Sequence, residues 1–275
     1  MCIKSDKFDL VVFAGQSNMS GRGDAALAVK CNENAGFEYK AISNPNGLVP
    51  VSEPFGLGEE RTGGIYDMDS DGSSKRTGSM VSALIDAYFR QSGRKIIGIS
   101  ASKGGTSTEQ WKKIYIKDAV SRLDTARLFL RSKNIPIGNI FVVWSQGETD
   151  GDHNVCAEEY TKNLKHLFRE FKMHGAEKCF LIQTGHYNYI GYPHGGMEHD
   201  KKYEVIREAQ RTICTNDKDF VMVASFEPYI SEMKDQFHYN QNAYNAVGKT
   251  AGKAMADYLC QQQRSRFDKS SQIIT

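Results

Sequence analysis

Four short strings in the sequence carry side chains able to do chemistry, and the first three each follow an apolar run. Gly15-Gln16-Ser17-Asn18-Met19 follows Phe8–Phe13. A serine on a tight glycine-containing turn after a strand can be held with its hydroxyl aimed into a cleft, as a nucleophile must be. Ser102-Lys103-Gly104-Gly105-Thr106-Ser107, with Trp111 beyond it, has paired glycines. Such a loop exposes backbone N–H groups at close approach, which suits a developing oxyanion. Lys103 suggests a phosphate loop, but the Walker spacing is absent. Val143-Trp144-Ser145-Gln146-Gly147-Glu148-Thr149-Asp150 adds an amide donor at Gln146 and carboxylates at Glu148 and Asp150. Asp235-Gln236-Phe237-His238 places an acid three residues before a histidine. Histidine is the side chain best matched to shuttle a proton near neutral pH, and a neighbouring acid can fix its tautomer. Glu148 is an alternative partner for His238. Any one string alone is more often a plain loop than a site.

Elements that could position these strings are legible in the pattern. Strand candidates are Phe8–Phe13, Lys95–Ser100, Asn139–Trp144, Cys179–Thr184 and Phe220–Ala224. They are almost continuously apolar, as strands of a parallel sheet covered on both faces are. Between and after them, Ser79–Gln91, Lys117–Ser132, Ala157–His174, Lys201–Cys214 and Asn242–Cys260 show helical spacing. The alternation predicts right-handed crossovers and a three-layer α/β/α sandwich with a five-stranded parallel sheet. Residues 31–78 and 185–200 read as long loops, which in a compact domain tend to be functional. No linker or repeat divides the chain, so one domain over 1–262 is expected, with 263–275 a polar tail that frays.

The 275 residues are 40% hydrophobic and 25% charged, with 35 basic against 33 acidic side chains and a net charge of +2. Near-neutrality gives no electrostatic footprint for nucleic acid or an anionic membrane. No apolar run approaches the ~18–20 residues a membrane span needs. No signal peptide precedes the first strand, which favours the cytoplasm unless a leader has been removed. Six scattered cysteines (2, 31, 156, 179, 214 and 260) without CxxC spacing read as reduced, mostly buried thiols.

Taken together, the strings in the order Ser17, Gly105, Gln146, Asp235, His238 resemble the SGNH (GDSL-like) hydrolase superfamily. The resemblance is to its carbohydrate-esterase branch of acetylxylan esterases and sialic-acid-specific acetylesterases, over about residues 8–255. Gly-Gln-Ser-Asn-Met and Gln-Gly-Glu-x-Asp are specific to that branch; Gly-Gly and Asp-x-x-His are weak alone. The resemblance implies a flavodoxin-like fold with Ser17 as nucleophile, His238 as base and Asp235 as its orienting acid. It also implies an oxyanion hole from the N–H groups of Ser17 and Gly105 and the Gln146 amide. Gln16, Asn18, Gly104, Trp111 and Glu148 are expected to support the site or touch substrate. The branch often has His before Gln-Gly-Glu; Ser145 stands there here, which bears on acyl or sugar preference.

The implied activity is a serine-dependent O-acetylesterase acting on acetylated xylan-type oligosaccharides or sugars. The alternatives are a sialate O-acetylesterase and, from another class, a non-catalytic carbohydrate-binding domain. No cofactor, metal, nucleic acid or membrane partner is expected. Asp67-Met68-Asp69-Ser70-Asp71-Gly72 begins like a calcium loop, but Gly78 stands where a bidentate Glu belongs. His186, His194, His199 and Asp200 match no established zinc spacing. Tyr187, Tyr189 and Tyr192 either stack on a sugar or pack their loop.

Overall fold

The structure is a computed structural model that describes residues 6–60 and 74–272, with side chains to residue 262. The strands are β1 (Phe8–Gly15), β2 (Gly36–Lys40), β3 (Asn44–Pro50), β4 (Lys95–Ser102), β5 (Ile137–Ser145), β6 (Lys178–Gln183) and β7 (Phe220–Ser225). They form one sheet in the order β3-β2-β4-β1-β5-β6-β7, parallel throughout except for the β2–β3 pair.

The sheet therefore has seven strands where five were expected. The five apolar runs are β1, β4, β5, β6 and β7. The two additions arise within residues 31–78. Their sequences, Gly-Phe-Glu-Tyr-Lys and Asn-Pro-Asn-Gly-Leu-Val-Pro, mix polar and breaking residues. Edge position explains this: β3 is largely exposed and bonded to β2 alone, so Pro45 and Pro50 interrupt no inner ladder. Asp67–Asp71 lie outside the described residues.

Among the described residues, eight α-helices cover the sheet or line its edge: α1 (Ser17–Ser20), α2 (Val81–Ser92), α3 (Thr108–Gln110), α4 (Ile116–Ser132), α5 (Glu148–Asp152), α6 (Ala157–Met173), α7 (Pro193–Asn216) and α8 (Gln241–Gln272). Because side chains alternate along a strand, β1 feeds two cores. Leu10, Val12 and Ala14 meet the apolar faces of α4, α6 and α7, while Val11 and Phe13 meet α2 and α8. Each such side chain, once fully buried, contributes about 1.5–3 kcal/mol for a Val-to-Phe-sized group. The 185–200 segment is not all loop, since α7 begins at Pro193 and kinks at His194 and Gly195.

Cysteines 31, 156, 179 and 214 are free, and only Cys179 is buried. Cys260 is disulfide-bonded, contrary to the all-thiol expectation. Cys2 lies outside the described residues. No described helix is long and apolar enough to cross a membrane.

Candidate active site

The carboxyl ends of β1, β4 and β5 stop level with one another: Gly15 lies opposite Ser102 on one side and Ser145 on the other. The segments that follow therefore leave one edge of the sheet, where open α/β sheets bind ligands. Gly15 has φ +135°, and a Cβ there would sit 2.0 Å from the Ser145 carbonyl oxygen. Only glycine lets β1 turn so close to β5. The turn is tied on both sides, by Gln16 N–H donating to Ser145 O at 2.9 Å and Lys103 N–H donating to Gly15 O at 2.9 Å. It delivers Ser17 to the start of α1, 6% exposed.

Ser17, His238 and Asp235 form one hydrogen-bonded line. His238 Nε2 is 3.0 Å from Ser17 Oγ, and Nδ1 is 2.9 Å from Asp235 Oδ2. A carboxylate can only accept, so Nδ1 carries the proton and Nε2 is left to accept from the serine hydroxyl. The other Asp235 oxygen, Oδ1, accepts the backbone N–H groups of Phe237 and His238, both at 2.8 Å. Partial burial would raise the Asp235 carboxyl, but the His238 ring and these backbone donors outweigh it and hold it down at about 2.

This loop is pinned from two sides. Asn188 N–H donates to Gln236 O at 3.1 Å and its Nδ2 to Asp235 O at 3.0 Å. Asn18 Nδ2 donates to Phe237 O at 3.1 Å and to Glu148 Oε1 at 2.6 Å, while Asn18 Oδ1 accepts from Tyr244 O–H at 2.7 Å. Glu148 is buried, and desolvation raises its carboxyl above the usual range against the opposing pull of Asn18.

A cavity of about 290 Å³ opens on Ser17 and His238, with Gln16, Gly104, Gly105 and Glu148 also in its wall. Three cationic side chains, Arg22, Lys75 and Lys103, line it too, as do Thr149, Asp152 and Phe237. The paired glycines and the serine backbone thus share one space with the imidazole.

Two expected residues do not face the cavity. Gln146 is fully buried and does not line the cavity; its Nε2 donates to Thr106 O at 2.9 Å and to Asp150 Oδ2. It braces the glycine loop rather than facing substrate. Trp111 is also fully buried, with Nε1 donating to Thr106 Oγ1 at 2.9 Å and its ring edge-on to Trp144 at 5.0 Å. The resemblance implied the Gln146 role from its motif, and a motif fixes the strand end but not the direction of a side chain.

The histidines of the 185–200 segment do not converge. His186 Nδ1 pairs with Asp200 at 2.8 Å, whereas His199 Nε2 pairs with Asp152 at 2.7 Å. Among the described residues no three His, Cys, Asp or Glu side chains gather as a metal site. Tyr187 packs its loop, 4.3 Å from the His199 ring and 5.9 Å from Phe237. No motif marked Asn188, Arg22, Lys75 or Asp152; Arg22 and Asp152 lie just past the Ser17 and Glu148 strings, whereas Asn188 and Lys75 come to the site through the fold.

The family model described as carbohydrate esterase, sialic acid-specific acetylesterase matches residues 7–257. Among solved structures, a protein from Arabidopsis thaliana shares 18% identity over 92% of this chain and 100% of its own, with TM-score 0.64. A carbohydrate acetylesterase from Xanthomonas citri shares 14% over 92% of this chain and 56% of its own, with TM-score 0.57. An acetyl-xylooligosaccharide esterase from Geobacillus shares 12% over 94% and 96%, with TM-score 0.51. At these identities the structural likenesses establish the fold. No match was found among curated proteins.

Proposed function

The chain belongs to the carbohydrate esterase family of sialic acid-specific acetylesterases and is a carboxylic ester hydrolase, and from that membership we propose that it removes O-acetyl groups from a sugar by serine chemistry. The observation that carries the reading is the line Ser17 Oγ, His238, Asp235, open to a cavity at its serine end. A domain that only bound sugar would need no such alignment.

In this mechanism His238 Nε2 takes the Ser17 proton as Oγ attacks the acetyl carbonyl. The tetrahedral oxyanion meets the N–H groups of Ser17 and Gly105. As the intermediate collapses, His238 returns the proton to the departing sugar hydroxyl, leaving an acetyl-serine. Water, deprotonated by the same imidazole, then attacks that ester; as the second intermediate collapses, His238 passes the proton to Ser17 Oγ and acetate leaves. No step calls for a metal or an organic cofactor.

Two substrate classes remain in view, neutral acetylated xylo-oligosaccharides and O-acetylated sialic acid. Arg22, Lys75 and Lys103 line the cavity together with Glu148 and Asp152, so its wall carries charges of both signs. The proposed catalytic domain spans 1–262.

The test is acetate release from acetylated xylo-oligosaccharides and 9-O-acetyl sialic acid by wild type and Ser17→Ala. Loss of a triad member should cost on the order of 10⁴–10⁶ in kcat with the fold intact. Near-wild-type turnover by Ser17→Ala would sink the mechanism.

A further inference from the structure

We propose that Asp152 is a specificity-determining residue, a carboxylate that accepts a hydrogen bond from a free hydroxyl of the sugar whose acetyl group is removed; the proposal rests on the esterase reading above. Asp152 closes the short helix α5, four residues after Glu148, so the two carboxyl side chains share one helix face and both line the cavity that holds Ser17 and His238. Sugars present ranks of hydroxyl donors, and an ionised carboxylate is the strongest acceptor a side chain can offer them.

The residue is held as a recognition group would be. His199 Nε2 donates to Asp152 Oδ1 at 2.7 Å and Tyr203 O–H to the same oxygen at 2.9 Å. The two donors are four apart on α7 and so project from one face of it. Helix α5 lies directly on Tyr203, since a Cβ at Gly151 would come within 2.8 Å of that ring. Tyr187 packs against the His199 ring, centroids 4.3 Å apart and planes tilted by 38°. Both hydrogen bonds end on Oδ1, which leaves Oδ2 for a ligand, and the side chain is 33% exposed at the cavity. The wall built here is acceptor in character, and a substrate with free hydroxyls matches it.

A purely structural role, in which Asp152 only staples α5 to α7, makes a different prediction, and Asp152→Asn separates them. An asparagine Oδ1 still accepts from His199 and Tyr203, so the staple survives, but its second group is now a donor. We would measure kcat and KM for wild type, Asp152→Asn and Asp152→Ala on three probes. These are p-nitrophenyl acetate, xylose tetraacetate (no free hydroxyl), and whichever of partly acetylated xylo-oligosaccharide or 9-O-acetyl sialic acid the wild type turns over faster. The expected result for both variants is a 10- to 100-fold fall in kcat/KM on the hydroxyl-bearing probe, mostly in KM. That is the size of a lost charge-assisted hydrogen bond, about 1.5–3 kcal/mol. The other two probes should change less than about threefold. Equal losses on all three probes, or no loss in Asp152→Asn on any, would overturn the proposal. If the wild type turned over no probe in a Ser17-dependent way, the esterase reading would itself have failed, and the proposal with it.

Discussion

Asn18 Nδ2 donates to Glu148 Oε1 at 2.6 Å, a contact between residues 130 apart in sequence. It ties the turn after β1 to the turn after β5. The same Nδ2 also holds Phe237 O, so the loop that carries His238 hangs on this amide. Glu148 therefore acts on the imidazole through Asn18, while Asp235 touches it directly at 2.9 Å.

The two acids should consequently differ in what their amides do. Asp235→Asn puts a donor against His238 Nδ1 and favours the wrong tautomer, at about 10⁴ in kcat for a comparable triad. Glu148→Gln keeps an oxygen for Asn18 to bond and should cost no more than about tenfold. Steady-state kcat on p-nitrophenyl acetate for both variants checks the order. A dead Glu148→Gln beside a nearly active Asp235→Asn would reverse the assignment.

The Asp235 pairing also has a pH signature. Its carboxyl is held down at about 2, against ~3.9 in an unfolded chain. A depressed acid contributes stability that is fully present above the unfolded value and lost as pH falls through the folded one. Urea unfolding of wild type and Asp235→Asn should then show a stability gap that is constant from about pH 7 to 5 and shrinks between about pH 4 and 2. Because the side chain is 37% exposed, solvent screens part of the effect and the gap should be modest. A gap unchanged down to about pH 2 would mean that Asp235 does not titrate with folding.

How far the sequence reached follows from the kind of signal each residue leaves. β1, β4, β5, β6 and β7 announce themselves as apolar runs, whereas β3 is a part-exposed edge strand and β2, between β3 and β4, carries Glu38 and Lys40 among its five residues. Ser17 and His238 stand out because their neighbours form unusual strings, and a short turn brings Asp235 to the histidine. Side-chain direction is not written that way. Gln16 and Gln146 each follow a strand end, yet Gln16 lines the cavity and Gln146 is sealed beneath it. Asn188 shows no periodicity or motif; its contact with Asp235 exists only once β6 and β7 are side by side.

Gln146 gives the last prediction, since the two roles open to it differ in what they would cost. As an oxyanion donor its loss should remove about 10²–10³ from kcat and leave folding stability alone. The geometry instead makes it a brace. Its amide joins Thr106 O and Asp150 Oδ2, and Asp150 in turn holds Thr108 through N–H at 2.9 Å and Oγ1 at 2.5 Å. Thr106 Oγ1 donates to Lys103 O at 2.7 Å, so residues 103–108 are stitched around Gly104 and Gly105. Burial raises the Asp150 carboxyl, and donors from Thr108 and Gln146 oppose that shift. Gln146→Ala strips a donor from each of two acceptors, Thr106 O and Asp150 Oδ2, which should lower unfolding free energy by about 1–3 kcal/mol. The fall in kcat should be smaller than an oxyanion donor's, because the Gly105 N–H is loosened rather than removed. Asp150→Asn should behave alike, and the double variant should lose less than the sum, as partners in one network do. Urea unfolding and kcat for the three variants decide between the roles. Unchanged unfolding with a hundredfold loss of kcat in Gln146→Ala would show that the amide reaches the oxyanion after all, by a rotation away from Asp150.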